Sequence, residues 1–162
     1  LIPDFQGNRE ALKTVMDARP EILNHNLETV QRLFPSVQPS DKMEWSQAVL
    51  VGAKQMDPDV LTKSGLMLGL GESLEEIKEM MELLREWKVD ILTIGQYLQP
   101  TLRHATIDRY VTPDEFAEYE TIAYSKGFLK VSSSPFTRSS YHADEDFAAL
   151  REARTKQQAK QD

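Results

Sequence analysis

The chain of 162 residues carries 19 Lys and Arg against 26 Asp and Glu, a formal net charge of −7, with 40% apolar and 28% charged residues. This is the composition of a soluble globular domain; the acidic balance argues against bulk nucleic-acid binding, which wants clustered Lys and Arg, and no apolar run approaches the ~18 residues of a membrane span. Cysteine is absent, which excludes disulfides, thiolate metal sites and cysteine nucleophiles within the chain.

The length suits one domain with a real core. No charged-then-apolar leader is present, so nothing points to secretion. The opening Leu1-Ile2-Pro3 lacks Met and reads as an apolar strand, the start expected of a chain that begins inside a larger protein.

In chain order, Leu1–Phe5 reads as a first short strand. Asn8 is placed to cap a helix over Arg9–Ala18, Ile22–Asn24 reads as a strand, and Asn26 is placed to cap a helix over Leu27–Phe34. Asp41-Lys42-Met43-Glu44 has capping-box spacing ahead of Trp45, Ala48, Val49, Ala53 and Met56. Leu61–Leu68 reads as a long apolar strand. Ser73-Leu74-Glu75-Glu76 is a further box, and Ile77, Met80, Met81, Leu84 and Trp87 follow at helical spacing. Ile91–Gly95 is a strand. Thr112-Pro113-Asp114-Glu115 repeats the box with Pro at the first helical position, leads into Phe116, Tyr119, Ile122 and Ala123, and finds a stop at Gly127. Phe128–Val131 closes the series as a strand, and Asp144 to about Lys160 reads as a polar helical tail.

Short apolar strands alternating with capped helices predict an α/β fold built on a mostly parallel sheet, with four or five strands and outer helices. A full eight-stranded barrel needs about 250 residues, so the chain is expected to be either a small open sheet or the second part of a barrel.

Parallel α/β folds gather their chemistry at the carboxyl ends of strands. There this sequence puts Asn24-His25-Asn26-Leu27-Glu28, Gly65–Glu72, Gln96–Thr101 and Ser132–His142. Each has a plain reading. Asn26 is as good a helix cap as a ligand contact. Three glycines in seven residues turn a chain, but glycine inside a strand also marks close approach of a ligand to the backbone. Their spacing is not that of a dinucleotide-binding loop. Lys63 inside an apolar strand is costly unless it reaches a cavity or an anion. His104 and His142 have no partners at metal-ligand spacing.

Five segments carry a resemblance: LIPDFQG (1–7), LNHNLETV (23–30), TKSGLMLGLGE (62–72), VDILTIGQYLQPT (89–101) and RSSYHA (138–143). Together they resemble the lipoyl synthases, a family of radical S-adenosylmethionine (SAM) enzymes, from Leu1 to about Ala143. The resemblance implies the C-terminal part of a partial (β/α)6 barrel over residues 1–143, followed by a tail over 144–162. It implies two [4Fe–4S] clusters in the whole enzyme. One cleaves SAM to a deoxyadenosyl radical that takes hydrogen from carbons 6 and 8 of an octanoyl chain; the other is consumed as the sulfur donor. The octanoyl chain would sit on a lysine of a lipoyl carrier domain, of the glycine-cleavage H-protein or dehydrogenase E2 type, and a reducing electron donor would be a further partner.

The family's SAM motif, roughly Gly-x-Ile-x-Gly-x-x-Glu, falls on Gly65, Met67, Gly69 and Glu72, with Met in place of Ile. By the same resemblance Asn24, Asn26, Glu28, Lys63 and Ser64 would contact SAM, with Gln96 and Tyr97 one strand along. The RSSYHA serine that ligates the sulfur-donating cluster would be Ser140, with Ser139 the runner-up. The cluster cysteines are missing, so the chain by itself is expected to be inactive. The implied compartment is bacterial cytoplasm or a eukaryotic organelle. Two other readings stay open: a non-catalytic module that docks a carrier domain, and a different barrel enzyme holding phosphate in its glycine-rich loop.

Overall fold

The computed structural model describes residues 1–139 and Leu150. Four strands, β1 (Ile22–Asn24), β2 (Leu61–Leu68), β3 (Ile91–Gln96) and β4 (Lys130–Ser133), form one sheet in sequence order, and every pairing is parallel. Each strand therefore lies beside the next in the chain, the order of a barrel wall rather than of a doubly wound sheet, where the order reverses. The helices between them are α1 (Arg9–Asp17), α2 (Phe34–Val37), α3 (Met43–Met56), α4 (Leu74–Glu86) and α5 (Pro113–Ser125).

The register divides the sheet into two chemically different faces. Leu23, Leu66, Leu68, Leu92, Ile94 and Val131 share one face and belong to a single large core with Leu12, Leu50, Met81, Leu84 and Phe116 of the helices. The opposite face begins, at the amino ends of the strands, with Ile22, Leu61 and Ile91, which pack with Leu129 and Leu150 in a second, smaller cluster. Further along it turns polar and bare: Asn24 and Lys63, then Gly65 and Thr93, then Met67 and Gly95. Helices α1 to α5 all contribute to the first core, while Leu150 packs on the opposite face.

The strongest start signals hold. Asn8 Oδ1 accepts from the Glu10 and Ala11 amides at the head of α1, and both Ser73 and Thr112 close reciprocal capping boxes with Glu76 and Glu115. Gly127, at φ +93°, turns the chain after α5. At the amino ends of β2 and β3, Lys54 pairs with Asp90 at 2.5 Å, and the Thr62 amide donates to the same carboxylate at 2.9 Å.

Four expectations need correction. Leu1–Phe5 is not a strand: Phe5–Gly7 is a 3-10 turn whose three residues all have positive φ, with Asp4 accepting from the Gln6 amide. Residues 27–34 are not a helix, because Glu28 pairs with β2 instead: its amide donates to the Gly65 carbonyl and its carbonyl accepts from Met67. Helix α3 starts at Met43 from Lys42, without a side-chain cap, so Asp41 does not serve as one. The last strand runs two residues later than Phe128–Val131. The polar tail over 144–160 lies outside the described residues, Leu150 excepted.

Candidate functional site

A cavity of about 310 Å³ opens at the carboxyl end of the sheet, on the face opposite helices α1 to α5. Asn26, Glu28, Gly65, Thr93, Gly95 and Ser139 help to line it. The larger hollows between α1 and α3 and along α4 lie on the helix side, and none of the buried polar atoms without a partner lines them.

The loop after β1 supplies the polar groups. Its path is set by backbone pairing to β2, which places Leu27 in the core at 0% exposure and holds Glu28 alongside Leu66. This pairing leaves Glu28 at φ +69°, a left-handed conformation uncommon for a residue with a Cβ. Such strain persists where surrounding structure over-determines it, and it clusters at ligand sites. Burial pushes the Glu28 carboxyl above its usual range, and the neighbouring Asn26 amide partly offsets that. Asn26 Oδ1 is itself buried with no hydrogen-bond partner, an orphan that buried carbonyls rarely tolerate without a ligand or water.

Gly65 completes this wall. A Cβ there would stand 2.8 Å from Thr93 Oγ1 and 2.9 Å from Asn26 Oδ1, so any side chain would fill the space in front of the orphaned acceptor. The cavity wall thus combines an unpaired neutral acceptor, a carboxylate and a bare backbone. It suits a ligand that carries hydrogen-bond donors and has one flat side.

The remaining expected contacts are distributed differently. Asn24 and Lys63 lie side by side in register on the same sheet face. Asn24 Oδ1 is also buried without a partner, while Lys63 Nζ donates to the Ser139 carbonyl at 2.6 Å. Ser64 is turned to the helix side, where its hydroxyl accepts from the Leu27 amide at 3.3 Å; residues adjacent in a strand point to opposite faces, so Lys63 and Ser64 cannot both reach one ligand. Gln96 borders the cavity, yet both ends of its amide are engaged, donating to the Tyr97 and Arg109 carbonyls and accepting from the Val111 amide.

Gly69 is a packing glycine. At φ +98° it admits a close approach in which a Cβ would sit 2.4 Å from the Arg109 carbonyl oxygen and 2.4 Å from Gln96 Nε2. Glu72 explains the rest of the motif: its carboxylate accepts from the Gly69 and Leu70 amides at 2.7 and 2.9 Å. Two of the loop's backbone donors, at Gly69 and Leu70, are therefore held by a carboxylate of the chain itself.

Gly95 and Thr137, which the motifs do not single out as contacts, line the same cavity together with Arg138 of the RSSYHA segment. The signal was a glycine inside β3, the same mark of close approach noted for Gly65. Ser140 lies outside the described residues. Among the described residues no group of three or more His, Asp or Glu could hold a metal ion, and no helix is long and apolar enough to cross a membrane. With no cysteine in the chain, its described residues supply no thiolate for an iron–sulfur cluster; the wall at Asn26, Glu28 and Gly65 offers hydrogen-bond acceptors beside a bare backbone. No protein-family model matches the chain.

Proposed function

We propose that this chain is the C-terminal, SAM-binding portion of a lipoyl synthase-type radical SAM enzyme, a sulfurtransferase that converts a protein-bound octanoyl-lysine to the lipoyl cofactor. The observation that carries the reading is the convergence of Asn26, Glu28 and Gly65 on one cavity at the carboxyl ends of parallel strands. These three residues come from two of the five segments on which the resemblance rests.

In this reading SAM, when bound, supplies the hydrogen-abstracting chemistry, and the chain supplies recognition. The orphaned Asn26 Oδ1 accepts from a ribose hydroxyl or the adenine amino group. The Glu28 carboxylate accepts from the adjacent hydroxyl or balances the ligand's positive charge. Gly65 leaves room for the nucleoside to lie flat against β2. Residues 137–139, seated against Gly95, complete the lining, which limits water and orients the acyl chain as it enters. The clusters would be held by cysteines that this chain does not contain, and no step here is routed through them. The octanoylated carrier domain and an electron donor are the partners of the same proposal.

The experiment is a single incubation of the full-length protein, reconstituted with iron and sulfide, with SAM, reductant and an octanoylated H-protein. Mass spectrometry of the carrier should find sulfur added at the octanoyl group. A carrier left unmodified, under conditions where SAM is turned over, would remove lipoyl synthesis from the reading.

A further inference from the structure

Lys63 is an unusual residue on its sheet face. It is 7% exposed, the third residue of β2, and its ammonium donates to a backbone carbonyl, that of Ser139, at 2.6 Å. The carbonyl belongs to a segment that crosses the carboxyl ends of β2 and β3 and is fastened at several points. The Ser134 amide donates to the Ile94 carbonyl at 3.2 Å, and the Gln96 amide to the Pro135 carbonyl at 3.4 Å. Thr137 is buried at 6%, its amide donates to the Ser134 carbonyl at 3.1 Å, and the two hydroxyls bond at 2.9 Å. The Thr137 carbonyl lies where only a glycine permits it, 2.4 Å from the position a Cβ on Gly95 would take. Arg138 folds its guanidinium back onto that same carbonyl at 2.7 Å.

Residues 134–138 meet β3 through two backbone bonds, at Ile94 and Gln96, and the segment's far end is anchored where Ser139 reaches across to β2 and its carbonyl is tied by Lys63. From these contacts we infer that Lys63 is a positioning residue: it pins the 134–139 strap over the sheet and so fixes the wall of the ligand cavity formed by Thr137, Arg138 and Ser139. The inference rests on the SAM-binding reading for the identity of the ligand, but not for the strap. It differs from the expectation that Lys63 meets a ligand anion directly. The ammonium reaches a backbone carbonyl of the cavity wall, and through that bond the residue acts on the ligand by way of the wall. It also makes the Ser139 side chain dispensable for the tie, because the accepting atom is in the backbone.

The test uses the full-length protein with Lys63→Met and Lys63→Arg, and two probes: S-adenosylhomocysteine, which carries the amino-acid end, and 5′-methylthioadenosine, which lacks it. Hydrogen exchange is read at the Ser134, Gln96 and Thr137 amides, and binding by calorimetry. A hydrogen bond from a charged donor is worth enough to protect a strap roughly ten- to a hundredfold. Lys63→Met should speed exchange at those amides by about that factor, leave the central amides of β2 and β3 protected, and weaken both probes by a similar factor. Lys63→Arg should restore much of each. Unchanged exchange at the strap overturns the inference, as does a loss confined to S-adenosylhomocysteine, which would mean direct contact with the amino-acid end. If the wild type binds neither probe, the SAM-binding reading fails, while the exchange data still decide the strap.

Discussion

Gly69→Ala separates the two glycines that a motif reading treats alike. At φ +98° an alanine is strained by about 1–3 kcal/mol whatever space surrounds it. Its Cβ would also stand 2.4 Å from both the Arg109 carbonyl oxygen and Gln96 Nε2. Relieving that overlap means parting β2 from the loop before α5, which costs the bond from the Asp108 amide to the Gly69 carbonyl and loosens the bonds of the buried Gln96 amide. Each lost bond adds about 1 kcal/mol, so the total comes to about 3–5 kcal/mol. For a domain of this size that lowers the thermal midpoint by roughly 10 °C. Gly65→Ala is the control. Gly65 has no positive φ, and its Cβ would meet only the ends of the Thr93 and Asn26 side chains. It should therefore cost well under half as much stability while weakening nucleoside binding. Thermal melts of the two variants against wild type decide it. Equal midpoints for Gly69→Ala and wild type would refute the assignment of Gly69 to packing.

Three further outcomes are expected. Burial raises the Glu28 carboxyl above the ordinary 4.5, so the folded state holds that proton longer than the unfolded chain, and stability falls as pH rises from about 4.5 through the raised value; Glu28→Gln should remove that loss and melt higher than wild type at neutral pH, yet bind a nucleoside less tightly. Arg32, with help from Ser73, holds Glu76 down to about 2, so its stabilisation is present above about 4.5 and lost as pH falls toward 2; the difference in midpoint between wild type and Glu76→Gln should shrink over that window. Asp90→Asn would leave Lys54, whose side chain is 11% exposed, without its counter-charge, and should cost about 1–2 kcal/mol in urea unfolding, since removing one partner of a partly buried pair strands the other.

Local signals in the sequence were legible where the structure uses local physics. The caps at Asn8, Ser73 and Thr112 start the helices that they mark, and β1 and β2 have the bounds their apolar runs suggest. Residues 27–34 were misread because a helical pattern there competes with backbone pairing of Glu28 to Gly65 and Met67, a tertiary contact that no local propensity reports. The site divides the same way. Asn26, Glu28 and Gly65 could be named from a motif, and they do meet. Period-two alternation alone puts Ser64 on the face opposite Lys63. The part played by Gly95 depends on a segment more than 40 positions along the chain folding back over it, and only the three-dimensional arrangement reveals that.

The most direct test of the account is equilibrium binding of S-adenosylhomocysteine to the full-length protein, wild type against Asn26→Leu. Leucine keeps the branched outline of Asn26 and removes the orphaned acceptor, whose Oδ1 lacks any protein partner to lose; the amide's bond to Glu28 goes with it. The account predicts measurable binding by the wild type and a loss of roughly tenfold in the variant, with the melting temperature falling by no more than the one lost bond to Glu28 accounts for. Binding of equal strength in both proteins would contradict it, because the cavity at Asn26, Glu28 and Gly65 would then not be where the nucleoside is read.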